Sequence, residues 1–260
     1  FLCAGFALGR YTDVLTPPAV GVVFNEPLIE QAARLQLGKA DNEPITEEDL
    51  LAVTELYLFG SEIVAKTEEE MNSAADRLFA QNQMKSGPVR SLADLEKMPN
   101  LQKVAIAMQQ VSDLTPLLSL PQLQVVIVKN NPIEDISPLC GLKQLERLSL
   151  FDALIEDFTP LASCLSLKDL DAGGTLARTP AGFAGLEQLK RLDLYKLTLD
   201  TLDGIEQLTR LQSIQLGGVT DGDLSPLLAL PELDMALLDE GLRDEAENIS
   251  ARAQFTITYE

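Results

Sequence analysis

One column of leucines governs what this chain can fold into. Leu101, Leu123, Leu145, Leu167, Leu189, Leu211 and Leu233 recur at intervals of 22 residues without a slip. Three and five residues after each stands another apolar pair: Val104/Ile106, Val126/Val128, Leu148/Leu150, Leu170/Ala172, Leu192/Leu194, Ile214/Leu216 and Ala236/Leu238. The second half of the unit repeats as well. Asp113-Leu-Thr-Pro-Leu117 returns as Asp135-Ile-Ser-Pro-Leu139, Asp157-Phe-Thr-Pro-Leu161 and Asp223-Leu-Ser-Pro-Leu227. Each unit therefore joins two periods. The first half ends in the two-residue alternation of a strand, and the three-spaced leucines of the second suit a 3₁₀ or irregular turn with one buried edge. No unit can bury its leucine face alone, so neighbours must stack and both ends need caps.

The pattern LxxLxLxxNxIxDISPLxxL resembles the 22-residue leucine-rich repeat of the internalin-like, SDS22-like class, over residues 53 to about 240. The resemblance implies an α/β fold: a right-handed solenoid, or horseshoe, with a parallel sheet on its concave side. Eight parallel strands are expected, starting near 53, 101, 123, 145, 167, 189, 211 and 233, stacked at roughly 4.8 Å. The first is carried by Val53, Leu56 and Leu58, with Ile63 at the next apolar column. A helical insertion over 64–88 then interrupts the repeats. Inside it, Thr67-Glu-Glu-Glu70 reads as a capping box, and Met71, Ala74, Ala75, Leu78 and Phe79 follow at helical spacing, which predicts one amphipathic helix over about 67–84 on the solenoid flank.

Residues 22–52 read as a helical N-terminal cap. It comprises a helix from Pro27 to Leu37 stopped by Gly38, then a short helix capped by Thr46 and Asp49. Residues 241–260 read as a C-terminal cap, with a helix over Leu242–Ser250 and a strand over Phe255–Tyr259. The lead segment, 1–21, begins with the apolar run Phe1 to Gly9. It reads either as the tail of a membrane span or signal sequence that starts upstream of Phe1, or as a short element packed against the cap.

Two departures from the repeat stand out. The column that usually holds Asn reads Gln109, Asn131, Ala153, Thr175, Leu197 and Val219, so the side-chain ladder to the loop backbone is expected to be mostly missing. The fourth repeat substitutes Ala172, Gly173-Gly174 and Arg178-Thr-Pro180 for bulky residues, which predicts a local change of curvature.

Composition narrows the chemistry. The chain has no His, which removes Ser–His–Asp and Cys–His catalysis and imidazole metal sites. Its net charge of −20 disfavours nucleic acid and anionic lipid. Cys3, Cys140 and Cys164 share no metal-ligand spacing. Cys164 replaces a leucine and should be buried and inert, and its offset from Cys140 argues against a disulfide. Gly173-Gly174 and Gly217-Gly218 lack the context of a phosphate loop. Asp169, Asp171 and Asp193 could in principle do acid–base work or hold calcium, but Arg147 and Arg191 beside them point to compensated surface charge. The expectation is a protein that is no enzyme and has no cofactor, no catalytic residues and no metal site.

What remains is a surface. In LxxLxL the leucines face the core, so the residues between them face outward on the concave side. Those columns hold Tyr57 and Phe59, Val125, Ile127 and Lys129, Arg147 and Phe151, Asp171, Arg191, Asp193 and Tyr195. Aromatic and aliphatic anchors ringed by charges of both signs are what interface cores use, so these residues are the expected ligand-binding set. The competing reading is that the inserted helix or a cap folds over the patch and buries it within the chain. The resemblance implies a monomeric protein-binding module of a bacterial cell-surface or secreted protein, with a membrane anchor upstream of Phe1 as one version of it. The extracellular sensor domain of a membrane receptor or kinase and a cytosolic SDS22-like regulatory subunit are the alternatives.

Overall fold

The computed structural model describes residues 21–260. The expectations for the apolar lead and for Cys3 therefore lie outside the described residues.

Every repeat turns its leucine columns into one edge of a continuous stack. The described residues run through ten strands: β1 (Glu55–Phe59), β2 (Ile63–Ala65), β3 (Lys103–Ala107), β4 (Val125–Ile127), β5 (Arg147–Ser149), β6 (Asp169–Asp171), β7 (Arg191–Leu199), β8 (Ser213–Val219), β9 (Met235–Leu238) and β10 (Thr256–Tyr259). They form a single open sheet in the order β2-β1-β3-β4-β5-β6-β7-β8-β9-β10. From β3 to β9 the partners across each pair are equivalent positions of successive repeats, as in Val104↔Val126 and Leu148↔Leu170. The exception is the end of β7 and β8, where Thr198 pairs with Gly218 and Leu199 with Val219. The eight expected parallel strands are thus β1 and β3 to β9, and the fold is a leucine-rich-repeat solenoid.

Two strands were not in that count. β10, expected as part of the C-terminal cap, extends the sheet by pairing parallel to β9. β2 overturns the reading of Ile63 as a repeat column: it folds back antiparallel on β1, with Phe59 opposite Ile63. Gly60, at φ +57°, makes the turn between them.

On the other side of each repeat the Asp-x-[Ser/Thr]-Pro-Leu motif builds its own start. Asp113, Asp135, Asp157 and Asp223 each accept a 2.8 Å hydrogen bond from the backbone N–H two residues on, at Thr115, Ser137, Thr159 and Ser225. The proline then opens a 3₁₀ turn whose leucine is buried. Leu117, Leu139, Leu161 and Leu227 face the strand leucines, and together they form one core along the whole stack.

The caps cover the ends of that core. Helix α1 (Pro27–Leu37) buries Ile29, Ala32 and Ala33 and stops at Gly38 in the left-handed region. Helix α2 (Glu47–Leu50) starts with a complete capping box between Thr46 and Asp49. Buried Asp94 ties the cap to the solenoid by accepting from the Asn25 and Glu26 N–H groups at 2.8 and 2.7 Å. The inserted helix, α3, spans Glu68–Ala80. Thr67 accepts from the Glu70 N–H at 3.2 Å, but the Glu70 carboxylate reaches Lys66 rather than Thr67, so only half of the expected capping box forms. Helix α4 (Arg243–Ser250) closes the far end through Ala246 and Ile249.

The ladder expected to be mostly missing is partly present. Gln109 does the work of Asn: its amide donates to Gly60 O and Ala107 O and accepts from the Val89 N–H. Asn131 donates to the carbonyls of Ile106, Val128 and Lys129 and accepts from the Val111 N–H. Thr175 keeps one bond, to Ala172 O at 2.7 Å. Where the column is apolar, at Leu197 and Val219, the backbone pairs with itself instead. β7 and β8 run on to Leu199 and Val219, with an irregularity between Leu194 and Thr198. An apolar side chain cannot satisfy loop amides, so strand pairing takes them up.

Candidate binding surface

The concave face is divided in two by α3. This helix lies on β1, β3 and β4 and builds a second, smaller core from Tyr57, Phe59, Ile63, Ala65, Met71, Ala75, Ala105, Ala107 and Ile127. Tyr57, Phe59 and Ile127 are 2%, 5% and 3% exposed, and Val125 packs half-buried against them. These four cannot be the open anchors that the outward columns predicted; the inserted helix covers them. Burial pushes the Tyr57 hydroxyl well above its usual range, and it donates to Glu55 at 2.8 Å. The first turn of α3 reaches the next strand, where Glu68 pairs with Arg147 on β5 at 2.8 Å. Beyond this wall the outward residues of β5 to β9 are nearly all half-buried or exposed.

Phe151, Gly173 and Tyr195 occupy equivalent places in successive repeats on that open half. The two rings lean over the glycine to a centroid separation of 6.5 Å, with planes 14° apart. Gly173 is required there. A Cβ would lie 2.8 Å from the Tyr195 carbonyl oxygen and 3.0 Å from the Phe151 ring. Lys196 follows Tyr195 in the left-handed region, φ +60°, and holds its ammonium 4.9 Å from the Phe151 centroid and 5.7 Å from that of Tyr195. Lys129 stands over the Phe59 ring at 5.7 Å, at the rim of α3.

Two residues earlier along the strands lies a recess of about 290 Å³, lined by Arg147, Ser149, Asp169, Asp171, Arg191, Asp193, Ser213 and Gln215. Its charges are not evenly compensated. Asp169 takes both arginines, Arg191 in a close ion pair and Arg147 at 3.7 Å. Asp171 is left with the Ser149 hydroxyl at 2.7 Å and the Gly173 N–H at 3.2 Å. Asp193 has the Tyr195 N–H at 2.8 Å. Burial raises the carboxyl of Asp171 above the usual range and that of Asp193 to about 6, with the neighbouring carboxylates adding to both.

The open half thus brings together Arg147, Phe151, Asp171, Arg191, Asp193 and Tyr195 of the predicted set, with Lys129 at its edge. Ser149, Ser213 and Gln215 stand in outward columns legible from the repeat, but nothing in their chemistry singles them out. Exposed Met235 extends the first outward column by one repeat and carries the same signal. Lys196 had none, because its position depends on the irregularity within β7, where it takes a positive φ. Among the described residues no group of three or more Cys, Asp or Glu is placed to hold a metal ion, and no helix is long and apolar enough to cross a membrane. Cys140 and Cys164 are both free thiols, and burial raises the Cys164 thiol to about 11.

A family model described as Leucine Rich repeats (2 copies) matches residues 121–163. No curated protein matches the chain. Among solved structures, internalin C2 from Listeria monocytogenes superposes with a TM-score of 0.71 at 21% identity, over 92% of this chain and 95% of that one. A leucine-rich-repeat protein from Leptospira interrogans aligns with a TM-score of 0.54 at 18% identity, over 82% of this chain and 61% of that one. The chain therefore carries leucine-rich repeats and has the internalin-like fold of that repeat class.

Proposed function

We propose that this chain is a non-enzymatic, monomeric protein-binding module whose ligand sits on the open half of the concave face, from β5 to β9. The observation that carries the reading is the Phe151–Tyr195 ring pair, held half-exposed over Gly173 beside a charged recess on an otherwise regular solenoid. Rigid aromatic anchors framed by charge concentrate binding energy at protein interfaces. The fold shared with internalin C2 supports placing the module at a bacterial cell surface or in the secreted fraction. The lack of His supports a role without acid–base or nucleophilic catalysis. A photo-crosslinking side chain at Gln215, in the recess, should give a discrete protein adduct in the native host. The same group at Leu118, on the exposed turn side, should not. Phe151→Ala with Tyr195→Ala should abolish the adduct with little change in thermal midpoint. An adduct at Leu118 alone, or one indifferent to loss of both rings, places recognition elsewhere.

A further inference from the structure

We infer that the recess on the open concave face receives an arginine side chain of the protein partner, its guanidinium between the carboxylates of Asp171 and Asp193 and its aliphatic stem along the Phe151–Tyr195 rings. This rests on the concave-face reading above and names the chemistry of its partner.

Parallel pairing sets Asp171 directly opposite Asp193, about 4.8 Å apart at the backbone. Among the described residues neither has an ion-pair partner, because the two arginines of the recess are both engaged with Asp169. Their present donors are one hydroxyl and two backbone N–H groups, Ser149 and Gly173 for Asp171 and Tyr195 for Asp193. Half-buried carboxylates with only neutral donors are unfavourable until a cation arrives. A planar guanidinium presents paired N–H donors that suit two adjacent carboxylates, and it also packs on aromatic faces. The aromatic component is an independent observation: the Phe151 and Tyr195 rings stand one outward position further along from the recess and give the stem an apolar flank, beside the place that the chain's own Lys196 ammonium takes over both rings. The net charge of −20 favours the approach of a basic partner.

Several charged groups bear on the two acids. Asp169 and Lys129 face Asp171, while Asp169, Asp171 and Glu260 face Asp193, and Arg147 and Arg191 line the same recess. Protonation of Asp193 near pH 6 removes half of the proposed carboxylate pair, so binding should weaken as the pH falls.

The test uses the whole chain and small probes. The amides of Gly173 and Tyr195, bonded to the two carboxylates, serve as NMR reporters. Nα-acetyl-arginine amide should shift both in a saturable way at pH 7.5, and bind several-fold more weakly at pH 5. The neutral isostere Nα-acetyl-citrulline amide should leave both unmoved, and Nα-acetyl-lysine amide should bind at least threefold more weakly than the arginine probe. Asp171→Asn with Asp193→Asn should lose the arginine probe at least tenfold. Citrulline or lysine binding as tightly as arginine would falsify the assignment, and so would retention by the double variant. A crosslink from Gln215 without arginine binding discards this subsite and leaves the concave-face reading standing. Arginine binding without a crosslink does the reverse.

Discussion

Asn131 shows how much of a repeat protein's stability can rest on one side chain. Its amide satisfies three carbonyls and one N–H buried between adjacent repeats. Asn131→Ala removes all four bonds, leaving the Lys129 carbonyl its other partner, the Met108 N–H, and should cost roughly 2–4 kcal/mol in urea unfolding, whereas Thr175→Ala, with one bond to lose, should cost about 1. The Asn column is legible in sequence, but the substitute is not: Gln109 shares the role because its longer amide still reaches Gly60 and Val89. Titration gives a second prediction. Asp193 binds its proton more tightly in the folded chain, about 6 against an ordinary 3.8. Raising the pH from 4 to 6 therefore ionises the unfolded chain first, and this group's contribution to stability falls over that window and is flat above it. Asp193→Asn should accordingly be more stable than the parent at pH 7.5, by about 1 kcal/mol once partial solvent exposure is allowed for, and equal to it at pH 4. Asp113, Asp135, Asp157 and Asp223 act oppositely. Hydrogen bonds from the following Thr or Ser lower their carboxyls, so their stabilisation is present above about pH 4 and is lost below it. A parent and an Asn variant with identical pH profiles between 4 and 7.5 would exclude the Asp193 account.

Helix α3 is the element that decides which half of the sheet can recognise anything. Its existence was legible from Thr67 and the spacing of Met71, Ala75 and Leu78, and the outward columns were legible from the 22-residue register. What it covers was not, because periodicity specifies an apolar stripe without specifying the surface that meets it. Tyr57, Phe59 and Ile127 are apolar because they receive this helix, while Phe151 and Tyr195 beyond it remain accessible. Similarly, β2 could not be told from a repeat column, since Ile63 fits both periods. Fully buried Met71 anchors α3, with Ala75 nearly buried and Ala74 and Leu78 packed half-buried beside it, Glu68 adds an ion pair, and Phe79 at its end is 77% exposed. Met71→Ala removes the one fully buried side chain that α3 brings to that contact and should destabilise the small core by roughly 2–4 kcal/mol. Because this core is separate from the leucine stack, hydrogen exchange should quicken across Glu68–Ala80 while β5 to β9 keep their protection. Uniform acceleration through all repeats would show the two cores to be one cooperative unit.

At the scale of the molecule, a solenoid is as cooperative as its weakest interface between neighbours. The fourth repeat is that interface by composition. Ala177 stands in the column that holds Ile133 and Ile155, and Pro180 in the column of Ile136 and Phe158, so the stack loses bulk twice within four residues. Glycine enters at the same level: Gly182 lies against Phe158 and Gly185 against Ala162, where a Cβ would come within 2.9 and 2.6 Å. The outer flank of this joint carries a recess of about 620 Å³ lined by Glu156, Phe158, Leu176, Arg178 and Gly182. Backbones approach closely on one side while side-chain volume is missing on the other. Nearest-neighbour coupling should therefore be lowest between the third and fourth repeats. In intermediate urea, hydrogen exchange should resolve two blocks, strands up to β5 and strands from β7, with Leu170 and Ala172 exchanging at the boundary. Ala177→Ile restores the side chain that the two preceding repeats carry in this fully buried column. It should add about 1 kcal/mol and draw the two transitions toward one. If the substitution instead destabilises, the alanine is a fitted element of a tighter turn, and the break in cooperativity must be sought at the caps.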